Sequence, residues 1–177
     1  MKVPQEFIPL NSTAFDVKAF DCGKPKMNEF LARYAVKHMG KNLSMTGVLP
    51  AEFPKIGEKA PVAAYYTLAT STIAKDDVPD EAKLGGLPGY PVPVVMLARL
   101  AVNINHQGRG YGQKVLVSAL RHAVQMTEPP HHLPAIAVVL DILDEDAKDF
   151  YDKFDMFHEM CENPMKLFVP MNALRQI

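Results

Sequence analysis

Leu100-Ala-Val-Asn-Ile-Asn-His-Gln-Gly-Arg-Gly-Tyr-Gly112 runs without interruption into a helical pattern, and its reading decides the fold. Gly108, Gly110 and Gly112 stand at alternate positions, so backbone N–H groups can come close to a ligand, and the helix that begins there contributes the positive end of its dipole. That combination suits a phosphate group. Two better-known phosphate motifs do not fit. A P-loop requires Gly-Lys-Ser/Thr after four spacer residues, but Gly112 is followed by Gln113, Lys114 and Val115. A dinucleotide fingerprint requires Gly-x-Gly-x-x-Gly and an acidic residue at the end of a second strand about 20 positions later. Glu128 falls at that distance but inside the turn Thr127-Glu-Pro-Pro130.

Working outward, Val94-Val-Met-Leu97 and Leu100-Ala-Val102 form an apolar run, broken by Arg99, that reads as a buried strand over Val92–Val102. On the other side, Val115, Leu116, Ala119, Leu120, Ala123 and Val124 recur at helical spacing, with Lys114, Ser118, Arg121 and Gln125 elsewhere. Strand, glycine loop and helix thus follow one another in the order a phosphate cradle needs.

Before this unit, Phe7–Leu10 is expected to be a first strand. The turn Phe20-Asp-Cys-Gly23 precedes a helix with Pro25 in its first turn. Phe30, Leu31, Tyr34, Ala35 and Met39 are expected on one face of that helix, leaving Lys26, Arg33, Lys37, His38 and Lys41 on others. Met45–Leu49 and Val62–Ala69 read as two strands of a hairpin with a long loop from Pro50 to Pro61. After the second helix, Ala135–Leu140 reads as a strand, Glu145–Lys153 as a short helix with Asp144 at its N-cap, and Lys166–Pro170 as a last strand. The expected class is α/β, a central mixed sheet flanked by helices, with residues 1–177 as a single domain.

The bulk properties agree with a sizeable core: 177 residues, 48% apolar and 22% charged. A formal net charge of −1 provides no global basic field, so any contact with nucleic acid has to be local. No apolar run of roughly 18 residues and no signal-peptide core are seen, which leads us to expect a cytoplasmic protein with no membrane contact. Cys22 and Cys161 read as free thiols. His131 and His132 lie in a proline-bounded loop without acidic or cysteine partners at ligand spacing, so no metal is expected. His106 reads as an exposed turn residue, and no Ser-His-Asp or Cys-His nucleophile motif is present.

Gln107-Gly-Arg-Gly110-Tyr-Gly112 fits Gln/Arg-x-x-Gly-x-Gly/Ala and, with Leu100-Ala101-Val102 before it, resembles the acetyl-CoA signature of the GNAT family of N-acetyltransferases. A second element, Ala147-Lys-Asp-Phe150-Tyr151-Asp-Lys-Phe154, resembles the Ala-x-x-Phe-Tyr-x-x-x-Gly-Phe segment of the same family. The resemblance implies the GNAT acyl-CoA N-acyltransferase fold, with acetyl-CoA as co-substrate. Leu100, Ala101 and Val102 would pair with the pantetheine arm. Gln107, Gly108, Arg109, Gly110, Tyr111 and Gly112 would hold the pyrophosphate. Tyr151 would be the acid that protonates the departing thiolate, a role open to a phenol that is protonated at neutral pH. Asp144 stands nearest to the family's Asn on the cofactor arm, and a carboxylate there accepts but cannot donate. Asp155 and Met156 replace the family's Gly-Phe pair, and Phe157 follows one position late.

Four further stretches narrow the match: Phe20-Asp-Cys-Gly23, Ala64-Tyr-Tyr-Thr-Leu68, Pro91-Val-Pro93 and Leu97-Ala-Arg-Leu-Ala-Val102. Together they resemble the acetyltransferase toxins of toxin-antitoxin modules. That resemblance implies acetylation of the α-amine of aminoacyl-tRNA, arrest of translation, a small ribbon-helix-helix antitoxin as partner and a homodimer. Lys26, Arg33, Lys37, Lys41 and Arg99 are then the available phosphate contacts for tRNA. Two other readings stay open on the sequence: an acetyltransferase for a small amine or a protein amino group, and a non-catalytic acyl-CoA-binding protein.

Overall fold

β-Branched and aromatic residues concentrate where strands form, and the glycines and prolines fall between them. The computed structural model describes residues 4–82 and 84–177. Its contacts divide the chain into two compact units: the part up to Ala69 with Arg99–Ala119, and Thr70–Ala98 with Leu120–Ile177. Three elements run from one unit into the other: β4 (Ala60–Ile73), β5 (Val92–Val102) and α3 (Tyr111–Thr127).

In the first unit, β1 (Ile8–Pro9) pairs antiparallel with β3 (Met45–Pro50), which pairs antiparallel with β4 from Met45↔Leu68 to Pro50↔Val62. A register shift between Leu49 and Pro50 ends the regular ladder. The short β2 (Phe15–Asp16) adds to β4 in parallel, so this unit's sheet is mixed. Gly47 is dictated by its neighbour: a Cβ there would lie 2.8 Å from the Tyr66 ring, which also lies 5.2 Å from the Phe7 ring. Against this sheet packs one helical rod made of α1 (Pro25–Glu29), a π-helical turn (Phe30–Tyr34) and α2 (Ala35–Gly40). Met27, Phe30, Leu31 and Ala35 are buried with Val48, Val62, Tyr65 and Ala101.

The π turn corrects one expectation. Tyr34 does not share the buried face with Phe30 and Leu31 but is 43% exposed. A π turn takes more residues per turn than an α turn, so it rotates the residues after it about the rod axis, and Ala35 rather than Tyr34 reaches the core.

In the second unit, β5 pairs in parallel with β6 (Ala137–Asp141) through Val95↔Val138, Met96↔Val139 and Leu97↔Leu140. β6 pairs antiparallel with β8 (Lys166–Pro170), which carries β7 (His158–Glu159) on its other side. Val92, Val94, Ala137, Val139 and Phe168 form its core with Ile73 and Met160. α4 (Glu145–Tyr151) follows β6 and stops two residues short of the expected Lys153; α5 (Met171–Leu174) closes the chain. The two-residue strands β2 and β7 and the single-turn α5 are too short to leave a periodic signal. α3 follows the sequence pattern closely: Val115, Leu116, Ala119, Leu120 and Ala123 are fully buried.

Candidate functional site

β5 ends at Val102, and the chain turns through Asn103 and a 3₁₀ turn, Ile104–His106, into the glycine loop. Asn103 organises the turn. Its side-chain carbonyl accepts the Asn105 N–H at 3.1 Å, its own backbone N–H donates to Ala63 at 2.8 Å, and its carbonyl accepts from the His106 N–H at 2.8 Å. Gly108 and Gly110 then adopt φ of +72° and +80°, a region that costs an L-residue strain. A Cβ on either would meet nothing within 4 Å. Their conformations, not crowding, require glycine, and the space beside them is open. α3 begins at Tyr111, directly after this loop, and its 17 residues make a helix long enough for a full dipole at that end. Exposed Arg109 adds a cation beside the loop. Positive-φ glycines, an open cradle, a helix N-terminus and a guanidinium form a set that fits a pyrophosphate.

The other loop residues hold it in shape. Gln107 donates from Nε2 to the Val102 carbonyl at 2.9 Å and to the Cys22 carbonyl at 3.1 Å. His106 packs edge-on against Tyr111, with ring centroids 5.4 Å apart. It is half-buried rather than exposed, because this contact and the 3₁₀ turn draw the ring inward. Burial, and then the Arg109 charge, hold its pKa below the usual histidine value. Before the loop, Leu100 is half-buried and Ala101 and Val102 are buried.

The turn that accepts from Gln107 has its own internal order. Asp21 accepts from the Gly23 N–H and from the Asn28 side-chain amide, both at 2.8 Å, and Asn28 returns its carbonyl to the Cys22 N–H at 2.9 Å. The Asp21 backbone carbonyl accepts from the Ile104 N–H at 2.8 Å. Neither Asp21 nor Asn28 stands out in the sequence as a site residue. The signals for them are the Asp-x-Gly turn spacing and, for Asp21, its place in the Phe20–Gly23 stretch of the resemblance, neither of which says what the turn touches.

The basic residues expected at a nucleic-acid interface lie in the same unit. Lys26, Arg33, Lys37 and Lys41 are all exposed along the helical rod, and Arg33 has Glu29 at 3.4 Å. Arg99, inside β5, stacks on Phe30 of that rod with its guanidinium carbon 3.7 Å from the ring centroid.

Tyr151 and Asp144 belong to the second unit. Asp144 caps α4 by accepting the Ala147 N–H at 2.9 Å. Tyr151, the last residue of α4, is buried with Phe150 at 5.0 Å and Phe157 at 5.6 Å. Phe157 therefore reaches the tyrosine despite its displaced position in sequence. Burial pushes the phenol pKa well up, so Tyr151 carries its proton across the whole working pH range. Among the described residues no cluster of three or more His, Cys, Asp or Glu converges on a metal-sized site. No described helix is long and apolar enough to cross a membrane.

Comparison with known proteins gives the arrangement a family. The chain is 30% identical to a tRNA-acetylating toxin of Mycobacterium tuberculosis (strain ATCC 25618 / H37Rv), over 94% of this chain and 92% of that protein. The chain belongs to the tRNA-acetylating toxin family. Solved structures of acetyltransferase toxins share the family's GNAT fold with it. AtaT complexed with acetyl-methionyl-tRNAfMet superposes with a TM-score of 0.83 at 24% identity, covering 97% of each chain. AtaTR bound with AcCoA superposes with a TM-score of 0.79 at 25% identity, covering 97% of this chain and 96% of that one. No protein-family model matches the chain. In a toxin of this family, the α/β class and mixed sheets expected from sequence are the observed architecture.

Proposed function

We propose that this protein transfers the acetyl group of acetyl-CoA to the α-amine of aminoacyl-tRNA and so blocks translation. One observation carries the reading: a relative that acetylates tRNA matches the chain almost end to end, at 30% identity. The glycine loop supports it, since its open cradle and helix N-terminus suit the pyrophosphate of a CoA thioester. AtaTR, which shares the fold at 25% identity, binds AcCoA.

When bound, acetyl-CoA supplies an activated acyl group. Gln107, Gly108, Arg109, Gly110, Tyr111 and Gly112 form the pyrophosphate grip, and the backbone of Leu100, Ala101 and Val102 pairs with the pantetheine arm. The parallel β5–β6 ladder runs through Leu97 and stops short of these three residues. Asp144, engaged as a helix cap, lies at the position matched to a contact on the cofactor arm. Holding both substrates turns a bimolecular aminolysis into a positioned one, in which the amine nitrogen bonds to the acetyl carbon as the C–S bond breaks. Tyr151, kept protonated by burial, gives its proton to the leaving sulfur, and the proton that the amine nitrogen sheds on becoming an amide returns to the phenolate. Lys26, Arg33, Lys37, Lys41 and Arg99 contact tRNA phosphates.

The same reading treats residues 1–177 as one N-acetyltransferase domain working in the cytoplasm as a homodimer, restrained by a ribbon-helix-helix antitoxin. The deciding experiment incubates the protein with labelled acetyl-CoA and, separately, bulk aminoacyl-tRNA, polyamines and a lysine-bearing peptide. Label is expected in the amino-acid moiety of the tRNA, and expression is expected to arrest growth unless Tyr151 is replaced by Phe. Label confined to polyamine or peptide would instead establish an ordinary amine acetyltransferase.

A further inference from the structure

We infer that Asp21 and Asn28 are positioning residues for the glycine loop, acting through the Cys22 peptide and Gln107, so that a turn 85 residues upstream helps to set cofactor affinity. The inference rests on the acetyl-CoA reading of the loop. Gln107 is the first residue of the motif, yet its side-chain amide does not face the open cradle. It is committed to two backbone carbonyls, Val102 at the end of β5 and Cys22 in the turn. A primary amide has two N–H donors, and two carbonyls use them. Gln107 therefore shapes the loop and has no side-chain donor left for phosphate.

Cys22 is held by both of its backbone polar groups. Asn28 accepts its N–H at 2.9 Å, and Gln107 donates to its carbonyl at 3.1 Å. Asn28 is itself oriented by Asp21, which accepts the Asn28 amide and the Gly23 N–H at 2.8 Å each. Gly23 takes φ of +83°, which permits the tight Asp21–Gly23 turn. A second link runs from the Ile104 N–H to the Asp21 carbonyl at 2.8 Å. The Gly23 N–H and then the Asn28 amide hold the Asp21 carboxyl below its ordinary pKa, so it remains an acceptor at neutral pH. The chain Asp21, Asn28, Cys22, Gln107 thus ends on the residue that opens the glycine loop.

The reason for such a bracket is entropic. A loop with two positive-φ glycines and open space beside them loses much conformational freedom when a ligand orders it. Ordering it in advance removes that cost from binding. It also ties the cofactor loop to the first turn of the rod that carries Lys26.

The test is a double-mutant cycle read by calorimetric titration with acetyl-CoA, with a thermal melt of every variant. Asn28→Ala and Gln107→Leu each remove two hydrogen bonds and are each expected to weaken binding at least about tenfold. The double variant is expected to lose less than the sum of the single losses, because both changes release the backbone of the same residue, Cys22. Asp21→Asn keeps an acceptor oxygen for Gly23 and Asn28 and is expected to bind as wild type. Asn28→Asp cannot donate to Asp21 and is expected to bind as weakly as Asn28→Ala. Saturating kcat is expected to stay within about twofold while KM for acetyl-CoA rises, the split of a ground-state positioning effect. Should Asn28→Ala fail to fold, Gln107→Leu and the Asp21→Asn and Asn28→Asp pair carry the comparison. Wild-type protein that does not bind acetyl-CoA would overturn the cofactor reading itself. Wild-type binding with unchanged Gln107→Leu or Asn28→Asp affinity, or fully additive losses, would overturn the bracket alone.

Discussion

The guanidinium of Arg99 sits over Phe30 with its central carbon 3.7 Å from the ring centroid, joining the end of β5 to the π turn of the first helical rod. The contact uses the arginine's face, and among the described residues no carboxylate is paired with its N–H edges. The ring helps to accommodate a charged residue in an otherwise apolar strand.

Arg99→Ala is therefore expected to lower the melting temperature by about 2–4 °C, the value of roughly 1 kcal/mol in a chain of this size. It is also expected to slow acetylation of aminoacyl-tRNA while leaving acetyl-CoA affinity unchanged. Arg99→Lys should restore little of either, since an ammonium has no planar face to stack. Full recovery by lysine in paired melting and transfer assays would show that charge alone matters.

Lys26, Lys37 and Lys41 are exposed along the rod, whereas Arg33 has a carboxylate at 3.4 Å. If they contact tRNA phosphates, each Lys→Ala change should reduce the slope of log K against log salt by about 0.7–0.9, and Arg33→Ala by less. Filter binding of tRNA across a potassium chloride series measures this. Slopes unchanged by all three lysine substitutions would remove the rod from the interface.

Gly108→Ala and Gly110→Ala place a Cβ on left-handed backbone, a strain of about 1–2 kcal/mol each that the loop relieves by changing shape. Acetyl-CoA dissociation constants are expected to rise by at least about tenfold, the equivalent of roughly 1.4 kcal/mol. Gly40→Ala, at a helical position with open space and ordinary φ, is expected to bind acetyl-CoA as wild type and to melt slightly higher. Equal binding by all three variants would disconnect the loop from the cofactor.

Tyr65, Tyr66 and Tyr151 all have pKa values raised by burial, Tyr66 to about 12. The unfolded chain loses these protons near pH 10 while the folded chain keeps them, so the unfolded state binds fewer protons there and stability falls as pH rises. Denaturant midpoints are expected to be flat with respect to these groups up to about pH 10 and to drop beyond it. Tyr151→Phe should lessen the drop and leave the neutral-pH midpoint nearly unchanged, while abolishing toxicity. Retained growth arrest in that variant would take the proton donor's role away from Tyr151.

Much of the fold is legible from local pattern. Val92–Val102, the glycine loop and α3 lie next to one another in the chain, so apolar runs, helical spacing and turn chemistry suffice to place them. The same holds for the Asp144 cap, whose partner is three residues away. Tyr34 escapes such a reading because a π turn leaves no composition signal and changes the helical period within five residues.

What the sequence alone determined is the order of strand, glycine loop and helix, and the glycines that the loop's backbone needs. Which backbone groups that loop leans on was decided by tertiary structure. The amide of Gln107 finds Cys22 across 85 residues, and Arg99 finds Phe30. A hydrogen bond or ring contact between distant segments depends on where the sheet and the rod bring them, and periodicity along one segment holds no record of that meeting.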